Sequence, residues 1–141
     1  MSPLQSLPEY ERYIYTLPQQ IPAIQRSTLT VIRRSQTAGI LAGEIEIGDY
    51  RLVIREKLSF EGEMRPIVSY GYECWRGNEK LYWYDSQAHP NDSTLASTHP
   101  HHKHIPPDIK HHRIPAPGLS FTQPNLPFLI AEIEQAVLSN P

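Results

Sequence analysis

The sequence predicts an α+β domain: an N-terminal helix, an antiparallel meander of about five strands, a long His/Pro-rich loop and a C-terminal helix. Three observations carry this. From Arg26 to Asp85 apolar and polar residues alternate with period 2, interrupted only at turn dipeptides. At both ends of the chain the apolar spacing is 3-4 instead, as on a helix face. Between sheet and final helix neither period survives, and proline and histidine dominate.

The first unit, residues 1–23, is a short amphipathic helix and a link. Pro8 suits a first turn, and Tyr10, Tyr13, Ile14 and Leu17 form one apolar stripe that Pro18 is expected to end. Residues 24–86 hold the sheet: Arg26–Arg34, Gly39–Ile47, Tyr50–Phe60, Ile67–Arg76 and Glu79–Asp85. Gly48-Asp49 and Gly77-Asn78 are two-residue hairpin signals, and Glu61-Gly-Glu63 is a further turn. In residues 87–123 the prolines exclude helix and central strand, so this stretch is expected to be a loop packed on the sheet. Residues 124–141 form the closing helix, with Asn125 as N-cap, Pro127 in the first turn, and Phe128, Leu129, Ile133, Ala136 and Val137 at helical spacing.

Composition narrows the function classes. A length of 141 residues fits one domain, and 20% charged with 39% hydrophobic residues excludes a disordered acidic tail. No apolar run is long enough to span a bilayer, and the start lacks the basic and apolar regions of a secretory signal. A cytoplasmic chain with no membrane partner is therefore expected. Cys74 is the single cysteine, which rules out an internal disulfide and a Cys-rich zinc ribbon; a small buried residue is its expected role. A net charge of −2 argues against a globally basic nucleic-acid binder but not against a local basic face.

Chemistry points to the second half of the chain. All 7 histidines, from His89 to His112, fall after Ala88, and 9 of the 14 prolines follow residue 89. His99-Pro-His-His-Lys-His104 puts four imidazoles within six residues. Imidazole is acid and base near neutral pH and is also the commonest transition-metal ligand. Two readings stay open: metal-free acid–base chemistry on a phosphodiester with Lys103 or Arg113 as clamp, or a zinc or nickel site in which His102 and His104 chelate from one face. A third is a non-enzymatic module whose His/Pro loop binds a partner.

Two further residues attract notice on the sheet. Glu56 sits between Ile54 and Leu58 on an apolar strand face, where a carboxylate needs a partner. It is expected to be shielded and to meet an imidazole or a guanidinium, either as a structural ion pair or as a base or orienting group. Tyr70, Tyr72 and Arg76 share one face of the next strand, and Lys80, Tyr82 and Tyr84 one face of the last. Arg76 is placed to clamp a phosphate or to form a rim salt bridge. The histidines are expected to face the tyrosines across a cleft.

The order Tyr70-Gly-Tyr72, Tyr84-Asp85, His89-Pro90 and Pro100-His-His-Lys-His104 resembles the TumE family, the toxin half of bacterial and archaeal toxin–antitoxin pairs. By this resemblance Glu56 matches a carboxylate late in a central strand, and Asp85, His89, His101, His102 and His104 match the family's polar signature. The single His89 followed by proline, and the longer tail from Ile105 to Pro115, depart from the family pattern. The resemblance implies a toxin with a cognate antitoxin. Joined to the residue reading, it suggests a small metal-independent ribonuclease. In it His101, His102 and His104 supply base and acid, Glu56 orients a ring, and Arg76 or Lys103 stabilises charge; Asp85 joins the ligands in the metal alternative.

Overall fold

The computed structural model describes residues 2–62 and 65–139. Helix α1 (Leu7–Gln20) starts where the Ser6 side chain accepts the Glu9 N–H, with Pro8 in the first turn. Pro18 does not end it. Proline cannot donate to the carbonyl of Ile14, yet the last turn closes through the Ile21 N–H on Leu17 O, so helix continues to Gln20. The stripe buries Leu7, Tyr10, Ile14 and Leu17 against the sheet, each contributing about 1.5–3 kcal/mol of apolar burial.

Strands β1 (Arg26–Ser27) and β2 (Thr30–Arg33) replace the one strand expected over Arg26–Arg34; both pair with β3 (Ala38–Ile47). Then follow β4 (Tyr50–Ser59), β5 (Ile67–Arg76) and β6 (Glu79–Asp85) as antiparallel neighbours. Gly48 (φ 58°) and Gly77 (φ 61°) take the left-handed conformation that the two hairpin turns require. The turn expected at Glu61-Gly-Glu63 lies in part outside the described residues, since Glu63 is not among them.

The meander does not stop at five strands. A 3-10 turn (Ser93–Thr98) precedes β7 (His102–His104), which adds to the edge of β6, and β8 (Arg113–Pro115) adds to β7. The segment expected to be irregular thus supplies the last two of the eight strands among the described residues. Pro100, Pro106, Pro107 and Pro117 fall outside these short strands, and Pro115 ends the outermost one, where a missing N–H faces no further neighbour.

Both helices cover one face of the sheet. Tyr10 of α1 reaches β4, and α2 (Leu126–Ser139) reaches β6 and β7 through Glu132. Helix α2 buries Leu126, Leu129, Ile130 and Ile133, and Leu129 N–H bonds Asn125 O, as a capping residue's carbonyl should. The Asn125 side chain turns inward instead, donating to Tyr72 Oη at 2.9 Å. An extra residue in β6, Leu81, sets Lys80 opposite Trp75 while Tyr82 stays opposite Cys74. Lys80 therefore leaves the face of Tyr82 and Tyr84, correcting the simple alternation. Cys74 is buried, as expected.

Candidate active site

Strand pairing assembles the core of the site. Residues opposite one another across an antiparallel ladder share a face, so Arg55, Gly71, Asp85 and His102 form one rung of the face away from the helices. The next rung on that face is Val53, Glu73, Trp83, His104 and Arg113. His102 Nε2 lies 2.8 Å from Asp85 Oδ1, His104 Nε2 lies 3.5 Å from Asp85 Oδ2, and the two Nε2 atoms are 3.1 Å apart. Each ring is held from behind by a carbonyl: His102 Nδ1 by Pro100 O at 3.0 Å, His104 Nδ1 by Ile109 O at 2.7 Å. Trp83 stacks on His104 with centroids 3.6 Å apart, and its Nε1–H donates to the same Ile109 O. His89 meets His102 edge to face at 4.8 Å.

The electrostatics follow the packing. His102 is fully buried, which disfavours its charge, but the hydrogen bonds to Asp85 and Pro100 outweigh this and raise its pKa. Burial likewise pushes Asp85 up, and the bonds from His102 and the Gln87 N–H bring it below the usual carboxylate value. His102 and Asp85 thus favour an imidazolium–carboxylate pair. His104 and His89 go the other way, each lowered first by burial; Arg113 adds to the effect at both.

A shallow groove of about 250 Å³ opens beside this cluster, lined by Trp83, Asp85, His89, His104, Lys110, His111 and Arg113. Arg113 also lines the adjoining hollow with His89 and Asp92, and its buried Nε has no hydrogen-bond partner among the described residues.

The other candidate residues lie elsewhere. Glu56 is fully buried on the helix face, but its partners are phenols: Tyr10 Oη donates at 2.6 Å and Tyr72 Oη makes a shorter bond. The expected imidazole or guanidinium is not its neighbour, because Tyr10 of α1 and Tyr72 of β5 take both carboxylate oxygens. His101 and Lys103 alternate with His102 and His104, so they point to the helix side. His101 stacks on Tyr70 and contacts Phe121, and Lys103 pairs with Glu132 at 2.9 Å. Arg76 lies at the far end of β5, on Asp49 at 3.7 Å and over the Tyr50 ring. Of the expected cluster, Asp85, His89, His102 and His104 converge, while the tyrosines and His102 occupy opposite faces. The sequence marks His111 only as part of the histidine window and gives no site role to Trp83 or Lys110; the alternation of Trp83 with Asp85 is the signal it offers for the first.

The fold and site define a small α+β domain that carries a histidine–carboxylate centre at the late edge of its sheet. The chain belongs to the TumE toxin family: the model of that family, Toxin TumE, matches residues 12–137, nearly the whole chain. Membership makes it the toxin component of a toxin–antitoxin pair, with a cognate antitoxin as partner. No curated protein and no solved structure matches it. No helix among the described residues is long and apolar enough to cross a membrane.

Proposed function

We propose that this toxin is a small ribonuclease that cleaves the RNA backbone by histidine acid–base chemistry, without need of a metal. The observation that carries the reading is the convergence of Asp85, His89, His102 and His104 beside a groove holding Lys110, His111 and Arg113. His89, at the groove and with its pKa lowered, is neutral at pH 7 and serves as the general base. It takes the proton of a ribose 2′-hydroxyl as that oxygen attacks phosphorus. The P–O5′ bond breaks, the pair His102–His104 delivers its shared proton to the departing 5′-oxygen through His104, and a 2′,3′-cyclic phosphate remains. Asp85 and His102 are positioning residues that hold this proton. Arg113, a clamp candidate already in the sequence, carries the phosphate charge together with Lys110, in place of Lys103 and Arg76.

The test is incubation of the purified chain with end-labelled single-stranded RNA in a chelator. Products ending in cyclic phosphate, and no cleavage when ribose is replaced by deoxyribose, are expected. Cleavage of the deoxy strand would overturn the mechanism, and an intact RNA strand would overturn the ribonuclease reading.

A further inference from the structure

Hydrogen-bond accounting at the imidazole pair leaves too few hydrogens. A carbonyl oxygen only accepts, so the Nδ1 atoms of His102 and His104, bonded to Pro100 O and Ile109 O, both carry hydrogen. In the neutral rings both Nε2 atoms are then bare, and they face one another at 3.1 Å. Asp85 adds Oδ1 at 2.8 Å from one and Oδ2 at 3.5 Å from the other. Four lone-pair atoms converge on one place, with His102 fully buried and His104 nearly so. Such a set repels itself unless something positive lies within it. A single proton answers this in the acid–base cycle. A metal ion answers it as well.

We propose that Asp85, His102 and His104 bind one zinc-class divalent cation, with His89 as the fourth ligand. Zinc holds its ligand nitrogens and oxygens at about 2.0–2.1 Å in a tetrahedron, which puts neighbouring ligand atoms about 3.3 Å apart. The two Nε2 atoms, 3.1 Å apart, lie close to that spacing. Asp85 reaches each ring with a different oxygen, Oδ1 at 2.8 Å from His102 Nε2 and Oδ2 at 3.5 Å from His104 Nε2, so a small turn of the carboxylate selects the third ligand atom. His89 stands at the mouth, its ligand atom and those of Asp85 and His102 all within 4.8 Å of one another, so a modest ring movement closes the fourth corner. The outer partners are those a metal-ligating histidine uses: Pro100 O and Ile109 O fix the tautomer and aim both Nε2 lone pairs inward. Three imidazoles with one carboxylate suit zinc, whereas magnesium and calcium call for oxygen ligands throughout. The inference needs no RNA and stands apart from the ribonuclease reading.

The full chain, stripped with a chelator, is titrated with zinc chloride against a chromophoric competitor. One equivalent is expected to bind. Asp85→Asn and His104→Ala are each expected to weaken binding at least tenfold, while the double variant His99→Ala/His112→Ala, outside the cluster, keeps the parent affinity. Cobalt(II) added to the unmodified chain provides a readout that no folding defect can mimic: the visible absorption of a tetrahedral ion is expected. Absence of competitor-resistant zinc, an octahedral cobalt spectrum, or loss of binding only in the double variant would overturn the site. No substrate is present, so either result leaves the ribonuclease reading to its own assay.

Discussion

Glu56 and Asp85 stand one residue out of step: Asp85 shares its rung with Gly71 and Arg55, and Glu56 follows Arg55, so their carboxylates emerge on opposite faces of the sheet. One is closed in by phenols beneath α1, the other meets imidazoles beside an open groove. Their substitution should therefore have opposite consequences.

For Asp85→Asn the amide cannot hold the charge of His102, and the shared proton is lost from the site. RNA cleavage is expected to fall about 100-fold, the lower range of general acid–base contributions. Glu56→Gln should leave the cleavage rate within about twofold. A comparable loss in both variants, measured on labelled RNA, would contradict the division of roles.

The stability of the fold should respond to pH at Glu56. Burial raises its carboxyl above the ordinary 4.5, more than the phenol bonds from Tyr10 and Tyr72 lower it. The folded chain thus favours the protonated acid. Its contribution is fully present below the unfolded value and is lost as pH rises through the raised folded value. The urea midpoint of Glu56→Gln, referred to the parent, is expected to rise from pH 4.5 upward. A difference that is flat with pH would refute the assignment.

Arg113 and Arg76 separate the groove from the far end of β5. Loss of one charge-assisted contact to phosphate costs about 1.5–3 kcal/mol, so Arg113→Ala should raise KM roughly tenfold or more. Arg76, held by Asp49, should be replaceable by alanine with KM unchanged. Equal effects would mean that the substrate runs along another path.

Zinc and the catalytic proton occupy the same atoms if both proposals hold. Cleavage should then persist in EDTA, fall at least about tenfold with one equivalent of zinc, and return on chelation. Activation by zinc would show that the metal, not the proton, does the chemistry.

Much of the sheet was legible because local signals agreed. In β5 and β6 alternation ends at a glycine turn, and the expected bounds, Ile67–Arg76 and Glu79–Asp85, are the observed ones. Strand β7 gives no such signal, since His-Lys-His has no apolar period. It is held by the open edge of β6, by Asp85 on one face and by Glu132 on the other. The site was half legible for the same reason. Residue types marked the histidine window, but which imidazoles meet depends on register, and a one-residue shift reverses every side chain. That is why His102 and His104 join Asp85 while His101 and Lys103 do not.

The carbonyl of Ile109 receives both the Trp83 indole and His104 Nδ1. A single peptide unit in the connection between β7 and β8 therefore chooses which nitrogen of His104 is free for chemistry. Side chains on the outside of that connection and away from the groove, such as Asp108 and His112, are exposed and can vary. Its length cannot: one residue added or removed between Ile105 and His112 would take the oxygen away and let the ring turn over, disabling the centre with every reactive side chain still in the sequence.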